Sequence, residues 1–182
     1  MKKFIITSLL IGSLNSTLLA SENSIYLGAA GNLVSTAKSD SINLFEQQGG
    51  QDRALGATLI LGYSIRDFLD IEARYMRSIA KEDDYTQTTW NLFFKPKYEV
   101  FDNLSLYALY GIGGVNISPK NSNEDFSLTD ISYGAGIKYD LTSSVSIFTD
   151  YVDNARHNIE NFKGSEKSVA TKTITTGLQY SF

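Results

Sequence analysis

The chain has 182 residues, with 20 acidic against 16 basic side chains, a net charge of −4, two prolines and no cysteine. The missing cysteines exclude a disulfide framework and a thiolate metal site. The acidic balance argues against a nucleic-acid partner. No run of 18 or more apolar residues occurs, so a helical inner-membrane protein is not expected.

Lys2 and Lys3 give a basic start, and Phe4 to Leu14 a mostly apolar stretch ahead of Ala20. Residues 1–20 read as a secretory signal peptide, with Leu18 where a small residue is more usual. The stretch is broken by Asn15 and Ser16 and falls short of the roughly 20 residues a spanning helix needs. Residues 21–182 make one domain, with 14 basic residues against 20 acidic and a net charge of −6.

The domain reads as strands throughout. Ile25-x-Leu27-x-Ala29 opens it. Three stretches then repeat one pattern: Leu69-x-Ile71-x-Ala73-x-Tyr75, Leu104-x-Leu106-x-Ala108-x-Tyr110 and Val145-x-Ile147-x-Thr149-x-Tyr151. Each alternates with period two, and each follows a tight turn at Arg66-Asp67, Asp102-Asn103 or Thr142-Ser143-Ser144. Before each turn stands a tyrosine two residues ahead of an apolar residue: Tyr63-Ser64-Ile65, Tyr98-Glu99-Val100 and Tyr139-Asp140-Leu141. Tyr180-Ser181-Phe182 ends the chain in the same way. Four strands leave this edge and four return, which predicts eight antiparallel strands. Connections at the other edge are longer, at roughly 35–50, 80–85, 118–127 and 155–168.

Short turns on one edge and long loops on the other predict an all-β, up-and-down transmembrane barrel. Strands of about ten tilted residues cross the hydrocarbon layer, and closure removes edges that lipid cannot satisfy. A soluble lipocalin-type barrel is the alternative. Large side chains such as Trp90, Leu92 and Phe94 share one face. Gly28, Gly56, Gly62, Gly111, Gly113, Gly134, Gly136 and Gly177 share the other. Small residues suit a narrow interior, so the large ones are expected to face lipid. Tyr63, Tyr98, Tyr139 and Tyr180 would then form an aromatic girdle at one membrane boundary.

Further marks are Glu72-Ala73-Arg74-Tyr75, Lys95 followed by Tyr98, Asp102, Leu104 and Tyr107, then Gly111, Gly113, Asp150-Tyr151 and Phe182. In this order the domain resembles the small eight-stranded outer-membrane barrels represented by the transmembrane domain of outer-membrane protein A and its porin-like relatives. The resemblance implies a bacterial outer-membrane location. It also implies that Tyr180 and Phe182 are read as a C-terminal signal by the barrel-assembly machinery. No peptidoglycan-binding segment follows the last strand, so a tether to the cell wall is not expected.

The inner face carries Glu72, Arg74, Lys95, Lys97, Glu99, Lys138 and Asp150. An unpaired charge in a narrow interior is costly, and the resemblance implies ion pairs across the lumen. Glu72 and Asp150 are expected to share it with Lys95 or Lys138, and Arg74 is a further candidate. The expected function is structural or porin-like, with a mostly plugged lumen. An adhesin or evasion protein binding a host or surface ligand through its loops is the alternative. Outer-membrane lipid is the expected partner, and the chain is expected to be monomeric with no cofactor.

A lipid A-modifying enzyme is the least favoured reading. The one histidine, His157, has Ile159 where lipid A deacylase barrels carry a serine, so no nucleophile stands beside the base. Asp83-Asp84 and Glu124-Asp125 offer oxygens to a divalent cation, but solvated loop charge accounts for both. No catalytic, cofactor-binding or metal residue is assigned.

Overall fold

Period-two alternation of apolar and polar side chains gives each strand two unlike faces, and the chain folds so that each face has its own solvent. The structure is a computed structural model and describes residues 24–37, 51–80, 85–119, 126–160 and 166–182. The signal peptide reading, Asp83-Asp84 and Glu124-Asp125 lie outside these residues.

Eight strands follow in chain order. They are β1 (Ser24–Ala37), β2 (Gln51–Arg66), β3 (Leu69–Ala80), β4 (Tyr85–Phe101), β5 (Leu104–Pro119), β6 (Phe126–Asp140), β7 (Val145–Glu160) and β8 (Glu166–Ser181). Each pairs antiparallel with its sequence neighbours. β1 pairs with β8 from Tyr26↔Ser181 to Ala37↔Ala170, which closes the barrel. Phe182 continues the seam with its amide on the Ile25 carbonyl at 3.0 Å. Its ring meets Tyr180 edge-on at 5.1 Å.

The short-turn edge is built locally. The first turn holds Asp67 and Phe68, one residue later than expected, because Arg66 still pairs with Leu69 across a bulge. The Thr142 hydroxyl accepts the Ser144 and Val145 amides and sets the third turn. At the other edge the strands run further than the sequence suggested. β7 and β8 stay in register to Glu160↔Glu166, through a bulge at Asp153/Ala155. His157 therefore lies on β7 opposite Val169, not in a loop. Hairpin pairing needs only backbone groups, so polar side chains there do not end it.

The strands have 12 to 17 residues rather than about ten. Leu59, Leu61, Leu92, Phe94, Leu106, Ile112, Ile137 and Leu178 are exposed on the outer face. The inner face buries Phe93, Leu109, Phe148 and Val152 among Asn, Thr and Ser side chains. The large apolar residues are outside and the core is mixed, the inverse of a soluble barrel.

Candidate functional site

The lumen is crossed by one charged cluster. Glu72 and Arg74 project inward from β3, Lys95 from β4 and Asp150 from β7, and all four are buried. Arg74 Nε donates to Glu72 Oε1 at 2.6 Å. Its Nη1 and Nη2 donate to the two Asp150 oxygens at 2.9 and 2.7 Å, a fork-to-fork pair. Lys95 Nζ donates to Glu72 Oε2 at 2.7 Å. Two cations meet two carboxylates, so the cluster is neutral.

Aromatic rings wall it in. The Arg74 guanidinium lies 5.5 Å from the Phe93 ring centre and 5.9 Å from that of Phe148. The Lys95 ammonium lies 4.4 Å from the Tyr107 ring centre and 5.1 Å from that of Tyr26. Cations held against aromatic faces in a dry site gain about 2 kcal/mol or more.

Two tyrosines complete the cluster, and they share one construction. Tyr26 on β1 pairs with Gly62 on β2, which pairs with Glu72 on β3. The ring lies over Gly62, where a Cβ would collide with it. The hydroxyl reaches past to donate to Glu72 Oε2 at 2.6 Å. Tyr107 on β5, Gly136 on β6 and Asp150 on β7 repeat the row. Tyr107 lies over Gly136 and donates to Asp150 Oδ2 at 2.8 Å. The rows start four strands apart, on opposite sides of an eight-stranded barrel.

Of the sequence candidates, Glu72, Arg74, Lys95 and Asp150 are brought together. Lys138 is not. It faces inward two residues nearer the short turns than Gly136, and its ammonium binds Asp140 at 2.9 Å at a partly exposed rim. Arg74 and Tyr107 hold Asp150, and Lys138 pairs instead with the carboxylate at its own strand end. Lys97 pairs with Asp70 at 2.7 Å, and Glu99 is exposed. Lys138→Ala is expected to change stability by less than about 1 kcal/mol, as exposed pairs do. Urea unfolding of the folded protein in micelles measures it.

The sequence names Tyr107 only as a mark of the resemblance, and Tyr26 and Asp70 are absent from its candidates. The signal was present: each has inward parity, and each tyrosine is flanked by outward apolar residues. Among the girdle candidates, Tyr63, Tyr98, Tyr139 and Tyr180 all face outward and are exposed. A second outward set, Tyr75, Trp90, Tyr110 and Tyr133, lies nearer the long connections, with Tyr75 paired to Trp90 and Tyr110 to Tyr133.

Toward the long connections the lumen turns neutral. Thr58 donates to Asn32, Asn32 to Thr175, Asn91 to Ser132 and Asn154 to Thr173. The Ser132 hydroxyl also donates to the Asn154 carbonyl. A cavity of about 10 Å³ lies among these side chains, against Arg74. No group of three or more His, Asp or Glu side chains able to hold a metal occurs among the described residues.

The model of the outer membrane protein beta-barrel domain matches residues 6–182. The chain belongs to this family. It is a bacterial outer-membrane protein. A search of curated protein sequences gives no match. Among solved structures, it resembles Neisserial surface protein A with a TM-score of 0.66 and 18% identity, over 89% of this chain and all of that one. It resembles the N-terminal barrel domain of Pseudomonas aeruginosa OprF with a TM-score of 0.61 and 17% identity, over 88% and 98%. It also resembles Ail, the attachment invasion locus protein of Yersinia pestis, with a TM-score of 0.59 and 17% identity, over 89% and 100%. These likenesses establish the eight-stranded fold.

Proposed function

We propose that this outer-membrane barrel is a non-enzymatic structural protein, porin-like in fold, whose lumen is sealed. The carrying observation is the Arg74 bridge to Glu72 and Asp150 with Phe93 and Phe148 beside it. A solute path would have to dismantle a neutral, ion-paired cluster, and the cavity beside Arg74 offers it about 10 Å³. Removing one partner from such a buried cluster costs about 3–5 kcal/mol. Purified protein in planar bilayers is therefore expected to give little or no steady current. Large, stable channels would overturn the reading.

Tyr63, Tyr98, Tyr139 and Tyr180 serve on this reading as the girdle at the short-turn boundary, and Tyr75, Trp90, Tyr110 and Tyr133 as its counterpart. Eight residues separate Trp90 from Tyr98 along β4. At about 3.3 Å per residue and a tilt of about 40° they span roughly 20 Å, close to the apolar band of such barrels. Tyr180 and Phe182 are proposed as the signal to the assembly machinery, and the protein as a monomer in outer-membrane lipid.

A second reading is surface binding. The β7–β8 hairpin carries paired backbone out to Glu160↔Glu166, an extension on the long-connection side. Ail has been crystallised with a heparin analogue, sucrose octasulfate. Binding of labelled cells to host matrix, with and without residues 155–168, separates the two readings.

A further inference from the structure

We infer that the cavity against Arg74 is a binding site for a single structural water, held by the Thr89 hydroxyl and the guanidinium. The inference rests on the sealed-lumen reading and extends it to the cluster's outer side.

The cavity is walled by Arg74, Thr89, Asn91, Asn154, Met76 and Val152, among others. Its volume of about 10 Å³ is near one water-sized sphere. A sugar, an amino acid or a hydrated ion is too large. Most of the polar groups around it are already partnered with one another: Asn91 with Ser132, Asn154 with Thr173, Thr58 with Asn32. Thr89 is the exception. It is 2% exposed, and its Oγ1 has no partner in the protein. Buried polar side-chain atoms are paired in the large majority of cases, and leaving one orphaned costs about 1–3 kcal/mol.

Arg74 supplies the other half. A guanidinium carries five N–H groups. Its bonds to Glu72 and Asp150 use three of them. A water accepting from the guanidinium and bonded to Thr89 has the two partners that a buried water needs. Gln87, the next inward residue on β4, is 1% exposed with both amide atoms unpartnered. Polar demand thus continues from the cavity toward the outer mouth. Arg74 forms the wall on the inner side, with its guanidinium packed against the Phe93 and Phe148 rings.

The experiment is a set of crystal structures of the full barrel: wild type, Thr89→Val and Thr89→Ser, with bromide in a parallel wild-type crystal. The expected result is a water peak within hydrogen-bond distance of residue 89 and Arg74 in wild type and Thr89→Ser, displaced or lost in Thr89→Val. An empty cavity in wild type, or a water that keeps its place in Thr89→Val, overturns the assignment. An anomalous bromide peak there also overturns it, in favour of a halide. Should Thr89→Val fail to fold, the wild-type and serine structures still decide. Conductance tests the plug separately, so either conclusion can fail without the other.

Discussion

Arg74→Ala is expected to destabilise the barrel by about 3–5 kcal/mol, the largest effect of any single substitution in the lumen. Glu72 keeps Lys95 and the Tyr26 hydroxyl when Arg74 is lost. Among the described residues Asp150 keeps the Tyr107 hydroxyl, and becomes a buried charge without a cation. Adding Asp150→Asn removes that charge, so Arg74→Ala/Asp150→Asn is expected to be more stable than Arg74→Ala alone. Urea titrations in micelles, read as the fraction of unheated protein that keeps the folded gel mobility, check both. A double variant no better than the single one would show that Arg74 acts through packing against Phe93 and Phe148 and not through its charge.

Gly62→Ala is the second large effect. The added methyl enters the Tyr26 ring, so the ring must move and its bond to Glu72 is lost. Overpacking costs about 1–3 kcal/mol, and a hydrogen bond to a charged group is worth about 1.5–3 kcal/mol. A loss near 3 kcal/mol is expected. Tyr26→Ala clears the space, so Gly62→Ala should cost much less in that background. Additive losses in the double-mutant cycle would refute the direct contact. Gly136→Ala, beneath Tyr107, is expected to behave alike.

Much of this was written in the alternation. The Tyr-x-apolar ending at Tyr63, Tyr98, Tyr139 and Tyr180 marks the four strands that arrive at the short-turn edge, and with the four that leave it gives the strand count. Parity alone put Glu72, Arg74, Lys95 and Asp150 on one face. Parity does not say which charges meet. That depends on how far strands slide past each other around the closed sheet, and it set Arg74 against Asp150, 76 residues on, while leaving Lys138 at the rim. Tyr26 and Tyr107 were hidden for a different reason. Their parity points inward, but the carboxylate each one meets depends on the glycine it lies over and on the strand beyond. The outer end of β7 is rich in polar residues, which suggests a loop, but the hairpin's backbone pairing needs no apolar side chains.

The paired Tyr–Gly–carboxylate rows carry a consequence for how the protein matures. Each row needs only three consecutive strands, so either half of the sheet can give its carboxylate a phenol before the other half exists. The Arg74–Asp150 fork joins β3 to β7 and forms only when the two halves face each other. Until then Asp150 lacks its cation, in a medium that penalises exposed charge. A sheet that is half inserted or closed out of register leaves Arg74 and Asp150 apart. Folding of this barrel should consequently be all-or-none, with the cross-lumen pair as its final commitment.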